Sequence, residues 1–343
     1  MDNITHTLTG LALARAGLNR YSTHATALLI VSANAPDIDI VAALNGALAY
    51  LEAHRGYTHS LICLPVMALL SMLFVAALFR RKLPWMMAWL LCCVGVASHL
   101  LLDWTTSYGT RLLLPFSSRW FHLDINSLYD GWIMAALVLA AIWPWFSRLV
   151  SREIGDKQTS GRSIAIAVLV FFLLFDVARA LLHADAVSQL ESRLFQNAVP
   201  LQTAALPESF TPFQWRGIVE TTTSYESLPV NTLGQLELSS AQVFFKPPGE
   251  PALEAAKRTP AFRYFLYFAR FPVWAEFRVT LDNGARGDRV ELSDLRFGTP
   301  ERGSFHCVAL ENSAFQVLHS WFTFGSGINL GWGKDGPPSS TEQ

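Results

Sequence analysis

Residues 98–104 read SHLLLDW, and they close an apolar segment that runs from Trp85 to Leu102. Such a segment is long enough to enter a bilayer as a helix. His99 and Asp103 stand four residues apart, so on a helix both side chains leave one face. An ionisable group at membrane depth is costly without a partner. A neutral imidazole and a carboxylate at this spacing can share one cation. The alternative is a helix–helix hydrogen bond with Asp103 capping the membrane end. Other residues decide between the two, and they lie in ITHTLTG (4–10), APDIDI (35–40) and HRGYTHS (54–60).

Working outward, Leu61 to Phe79 is almost continuously apolar and at about 1.5 Å per residue crosses a hydrocarbon core of roughly 30 Å. Arg80, Arg81 and Lys82 follow, and Trp85 to Leu102 returns. A connection this short makes the two spans antiparallel neighbours. Trp132 to Leu149 and Ile164 to Leu182 are the third and fourth spans, joined by a loop with Arg148, Arg152, Lys157 and Arg162. Placing both basic loops in the cytoplasm satisfies the positive-inside rule. His59, at the start of the first span, then falls on the outer side with His99 and Asp103.

The segment His24 to Ala35 covers only about 18 Å as a helix. Residues 4–50 therefore read as a partly inserted helical hairpin, with Pro36 ending its second arm and turning Asp37 and Asp39 toward the site. A complete fifth span is the other reading. His183 to Asn197 reads as an amphipathic helix, and after Pro200 come strand-like runs, WRGIVET, QLELSSAQVFF, FRYFLYF and AEFRVTL, with a turn at Asp282, Asn283 and Gly284. The expected fold is a polytopic α-helical membrane domain of four spans plus the hairpin over residues 1–185. A β-rich extracytoplasmic domain over 186–335 and a disordered tail over 336–343 follow.

Composition agrees. Of 343 residues 51% are hydrophobic and 15% charged, with a mean hydropathy of +0.29, which excludes an ordinary soluble protein. A net charge of -1 gives no basic surface for nucleic acid, so that partner is not expected. Cys63, Cys92, Cys93 and Cys307 make neither a disulfide framework nor a CxxC zinc pattern. MDNITHTL lacks the basic region of a cleavable signal peptide, and membrane entry is expected from internal helices.

His59 is the third candidate ligand, brought beside His99 and Asp103 by the short hairpin. Five residues separate it from His54, and Gly56 allows a bend that aims both inward. Alternatively, Thr58 caps the first span while His54 and Arg55 sit in interfacial water. Asp37 and Asp39 point the same way only in an extended chain. One of them is a candidate general base or bridging ligand, although Asp37 also suits a helix N-cap. The long segment 104–130 is either a lid or an aromatic interfacial belt, with Arg111 its candidate anion contact. Asp124 and Asp130 read as caps.

Taken together, ITHTLTG, APDID, HRGYTHS, SHLLLDWTTSYGT and LLLPFS resemble the LexA-regulated, inner-membrane metal-dependent hydrolase family (YdjM-like) over residues 1–185. That resemblance implies a distant relation to zinc-dependent phospholipases C and single-strand-specific zinc nucleases, and induction under DNA damage. It also implies that His6, Asp37, His59, His99 and Asp103 are metal ligands, with Asp39 and His54 adjacent. The expectation is hydrolysis of a phosphoester or lipid-linked bond by a water that one or two divalent ions, zinc by donor type, activate. Asp39 or Asp37 would take the proton. The bilayer is the expected partner, the inner membrane the expected location, and the β-rich domain is expected to be periplasmic with a protein partner the sequence does not name. Two other classes stay open: a metal or proton transporter with mid-depth ligands, and a scaffold whose metal only staples helices.

Overall fold

A computed structural model describes residues 1–80, 83–154, 161–281, 283–300 and 303–325. Arg81, Lys82, Lys157, Asp282 and the tail from 336 lie outside them. The chain divides into two compact units. The first takes Met1–Asp39, Arg55–Asp185 and Leu206–Trp215; the second takes Ile40–His54, Ala186–Ala205 and Arg216–Gln343.

The first unit is helical. Helix α1 (Asn3–Arg15) starts where the Asp2 carboxylate accepts from the Ile4 and Thr5 amides, an N-cap that satisfies two otherwise unpaired donors. Helix α2 (Ala25–Asn34) ends before Pro36, but the chain does not turn back there. It continues as a 3₁₀ segment, Ala35–Asn45, so that Ala25–Asn45 is itself long and apolar enough to cross a membrane. The hairpin reading underestimated this stretch, because Pro36 removes a helical donor yet fits the first turn of a new segment. Within the second unit, the short helix α3 (Ala47–Ala53) packs on the last strand, and the Tyr264 hydroxyl donates to the Glu52 carbonyl at 3.2 Å.

Helix α4 spans Leu64–Phe79, α5 Trp85–Trp104, α6 Gly131–Ile154 and α7 Arg162–Glu191. All four predicted spans are helices. The first starts three residues late, since Pro65 occupies its opening turn, where proline is favoured. Thr58 is not its cap. The amphipathic helix expected from His183 is the end of α7, which at 30 residues is roughly 45 Å long. Among the described residues three helices are long and apolar enough to cross a membrane, or four if Ala47–Phe79 counts as one broken span.

Two glycines set how closely the site-bearing helices approach. A Cβ on Gly10 of α1 would lie 2.8 Å from the Leu29 carbonyl of α2, and one on Gly95 of α5 would lie 2.0 Å from Ser32 Oγ and 3.0 Å from the Leu29 carbonyl. No side chain fits either gap without moving a helix. Around these contacts Ala14, Ala25, Leu28, Leu29, Met72, Val75, Leu91 and Val96 form the buried core.

The β-rich region holds two four-stranded sheets, each in chain order. The first is β1 (Gln202–Pro207), β2 (Gln214–Glu220), β3 (Ser224–Asn231) and β4 (Gln242–Phe245). The second is the antiparallel meander β5 (Pro272–Thr280), β6 (Arg286–Asp294), β7 (Phe305–Asn312) and β8 (Val317–Phe324). Between them lie helices α8 (Pro251–Lys257) and α9 (Pro260–Phe268). FRYFLYF is thus helix, not strand. Its aromatics recur at helical spacing, Ala261, Phe262, Phe265 and Phe268 are buried, and Pro260 opens the first turn. Of QLELSSAQVFF only Gln242–Phe245 is strand.

Candidate metal centre

Four elements of the first unit deliver the site. Helix α1 carries His6, the 3₁₀ segment after α2 carries Asp37 and Asp39, the turn Tyr57–His59 carries His59, and α5 carries His99 and Asp103. All three imidazoles are fully buried and Asp103 is 1% exposed, whereas the Asp37 side chain is 15% exposed. Asp37 therefore marks the open side.

His59 Nε2 and His99 Nε2 lie 3.0 Å apart. Asp103 Oδ2 is 3.4 Å from each, and Asp37 Oδ1 is 3.5 Å from His59 and 3.6 Å from His99. One donor atom from each of the four residues thus lies within 4.8 Å of every other, the size of a coordination sphere around one ion.

The far side of each imidazole shows which nitrogens are available. His99 Nδ1 donates to the Ala33 carbonyl at 2.7 Å; a carbonyl can only accept, so the Nδ1 proton is assigned. His59 Nδ1 faces Thr58 Oγ1 at 2.9 Å and Asp39 Oδ2 at 3.3 Å. Both rings are oriented as metal-ligating histidines commonly are, with an acceptor holding the outer nitrogen. Their Nε2 lone pairs then confront each other and two carboxylates. A proton would satisfy one nitrogen; a divalent cation would satisfy all four groups at once.

Unpartnered atoms point the same way. Asp37 Oδ2, Asp103 Oδ2 and both ring nitrogens of His6 are buried without a hydrogen-bond partner, an arrangement that normally costs stability. His6 stacks on His99 with centroids 3.8 Å apart, and its Nε2 is 3.4 Å from Asp103 Oδ1. A set of two imidazoles and two carboxylates, with a third imidazole beside it, could hold a metal ion.

The other predicted site residues fall as follows. Asp39 stands behind His59, on its Nδ1 side, and Asp39 Oδ2 also accepts from the Arg55 amide at 3.0 Å. His54 closes α3 in the second unit, its ring stacked on Tyr50 with centroids 4.7 Å apart. Arg111 is 8% exposed with its guanidinium 4.8 Å over the Trp120 ring, in a loop zipped by paired Thr110–Phe121 backbone bonds. Asp130 caps α6 through the Trp132 and Ile133 amides, as expected. Asp124 pairs with His122 at 3.2 Å.

Sequence reasoning missed Arg55, whose Nη2 lies 2.9 Å from Asp103 Oδ1 with the side chain 3% exposed. An arginine beside a glycine in HRGYTHS reads as a solvated turn. Nothing local in the sequence indicates burial. The Met1 amino group also donates to Asp103 Oδ1.

A family model described as YdjM inner membrane protein matches residues 1–183, more than half of the chain. Uncharacterized protein YfhP of Bacillus subtilis (strain 168) is 31% identical over 157 residues, which cover 43% of this chain and 47% of that protein. The chain thus spans about half the length of the curated relative it matches. No solved structure matches.

Proposed function

This chain belongs to the YdjM inner membrane protein family, and from that premise we propose that its helical unit is a membrane-bound, metal-dependent hydrolase of phosphoester or lipid-linked substrates. The observation that carries the proposal is the 3.0 Å approach of two imidazole nitrogens, each anchored from behind, beside two carboxylate oxygens. Such a centre suits acid–base chemistry better than simple stapling, because one ligand, Asp37, is partly open.

In this reading His59 and His99 bind through Nε2 and Asp103 through Oδ2. When bound, the cation supplies a Lewis acid and an activated water. Asp37 Oδ2, buried without a partner next to the ion-facing Oδ1, is placed to accept the proton. Asp39 serves as a positioning residue that fixes His59, in the manner of outer carboxylates that hold ligating histidines. His6 offers a nitrogen to a second ion. Ile38, next to Asp37, is 60% exposed, which favours a mouth that meets lipid.

We place the centre on the extracytoplasmic side of the inner membrane, following the basic loops. A reporter fused after Leu182 is expected to be active only outside the cytoplasm; cytoplasmic activity would reverse the assignment. For the chemistry, purified protein stripped with a chelator and reloaded with Zn²⁺ should release phosphate or headgroup from a panel of phospholipids and soluble phosphoesters. Chelator should abolish that release. Metal-loaded protein that cleaves nothing in either class sinks the hydrolase reading.

A further inference from the structure

Asp103 divides its two oxygens between different tasks. Oδ2 faces His59 and His99 at 3.4 Å and has no hydrogen-bond partner, while Oδ1 takes Arg55 Nη2 at 2.9 Å and the Met1 amino group. The guanidinium is itself fixed. Its Nη1 donates to Thr106 Oγ1 at 2.9 Å, and its plane lies 4.7 Å over the Tyr108 ring. The same residue works through its backbone too. The Arg55 amide donates to Asp39 Oδ2 at 3.0 Å, and Asp39 stands behind His59 Nδ1. The Arg55 carbonyl accepts from the Arg111 amide at 3.1 Å. These bonds hold Arg55 at φ +53°, in the left-handed region that a long side chain adopts only when its surroundings dictate it.

We propose that Arg55 is the positioning residue of the metal centre: its guanidinium presents Asp103 through Oδ2 alone, and its amide sets the Asp39–His59 arm. The inference rests on the metal-centre reading above. It adds that one residue outside the coordination sphere aligns two of the four ligands, which come from different elements. An arginine suits the task because its planar, always charged fork holds one carboxylate oxygen and a hydroxyl together. A guanidinium that stays charged also offsets one of the two ligand carboxylates.

The test uses full-length protein in nanodiscs and reads metal affinity by competition with a chromophoric chelator. Arg55→Asn is the informative variant, since asparagine tolerates a left-handed backbone and keeps the amide while removing the guanidinium. Zn²⁺ affinity is expected to fall about 10- to 100-fold, the range seen when outer partners of metal ligands are lost. Arg55→Lys, which keeps the charge, should recover part of the loss. The visible band of the Co²⁺-loaded protein should also weaken in Arg55→Asn, as Asp103 Oδ1 keeps only the Met1 amino group and the carboxylate can turn both oxygens toward the ion. A merely structural role would leave that band in place. Wild-type affinity and spectrum in Arg55→Asn would overturn the proposal, and so would tighter binding, which would mean that the guanidinium competes with the cation. If Arg55→Asn does not fold, equal affinity and spectrum of Arg55→Lys and wild type serve as the refuting result. Wild-type protein that takes up no metal removes the centre and this proposal together. Wild-type protein that binds metal but hydrolyses nothing removes only the hydrolase.

Discussion

Replacing His99 with alanine is expected to empty the metal centre. The wild-type chain should purify with a divalent ion retained through dialysis, and His99→Ala should retain almost none. Both sides of the His99 imidazole are committed, Nδ1 to the Ala33 carbonyl and Nε2 to the cluster. Its loss removes a ligand outright, so the effect should exceed the roughly 10- to 100-fold that outer partners supply. The loss also unstacks His6, which lies 3.8 Å from the His99 ring. Elemental analysis of the two proteins, normalised to protein concentration, decides the matter. Equal metal content would defeat the assignment of His99 as a ligand.

The second large effect is on stability. Asp103→Asn leaves the Arg55 guanidinium, 3% exposed, without its anionic partner. Breaking a buried ion pair from one side costs about 3–5 kcal/mol, because a charge is stranded. Unfolding of the purified protein should therefore move to markedly milder denaturant or temperature. A double variant, Asp103→Asn with Arg55→Met, removes the ion pair and leaves only the Met1 amino group without its carboxylate, so it should regain part of that stability while still failing to bind metal. The two readouts separate the structural from the ligating role of Asp103, in the manner of a double-mutant cycle. A single Asp103→Asn variant within about 1 kcal/mol of wild type would show that solvent or lipid headgroups already screen the pair.

The parts of this protein that local patterning controls are legible in its sequence. The four apolar segments became helices, because a run of nonpolar residues has no other way to satisfy its backbone in lipid. His99 and Asp103 came together because four residues make about one helical turn. Where a pattern is short and mixed, the reading failed. FRYFLYF has aromatic residues that serve strands as well as helices, and only its packing as α9 decides. Pro36 similarly reads as a stop, yet the chain carries on through a 3₁₀ segment.

Asp37 and Asp39 illustrate the limit most clearly. Two residues apart on the chain, they are equivalent by residue type and spacing, and only the resemblance sets Asp37 among the ligands; in the fold one faces the imidazole nitrogens and the other stands behind His59. Arg55, which one of two readings of HRGYTHS leaves in interfacial water, is buried against Asp103. What the sequence by itself determined was that four apolar segments are helices and that one of them presents a histidine and an aspartate on one face, since both follow from periodicity within a segment. Only the tertiary structure decided how closely His59 and Asp37 approach that pair and that Arg55 is buried against it. Their meeting depends on the close approach of α1, α2 and α5 at Gly10 and Gly95, a matter of side-chain volume between elements distant in sequence, which no local pattern encodes.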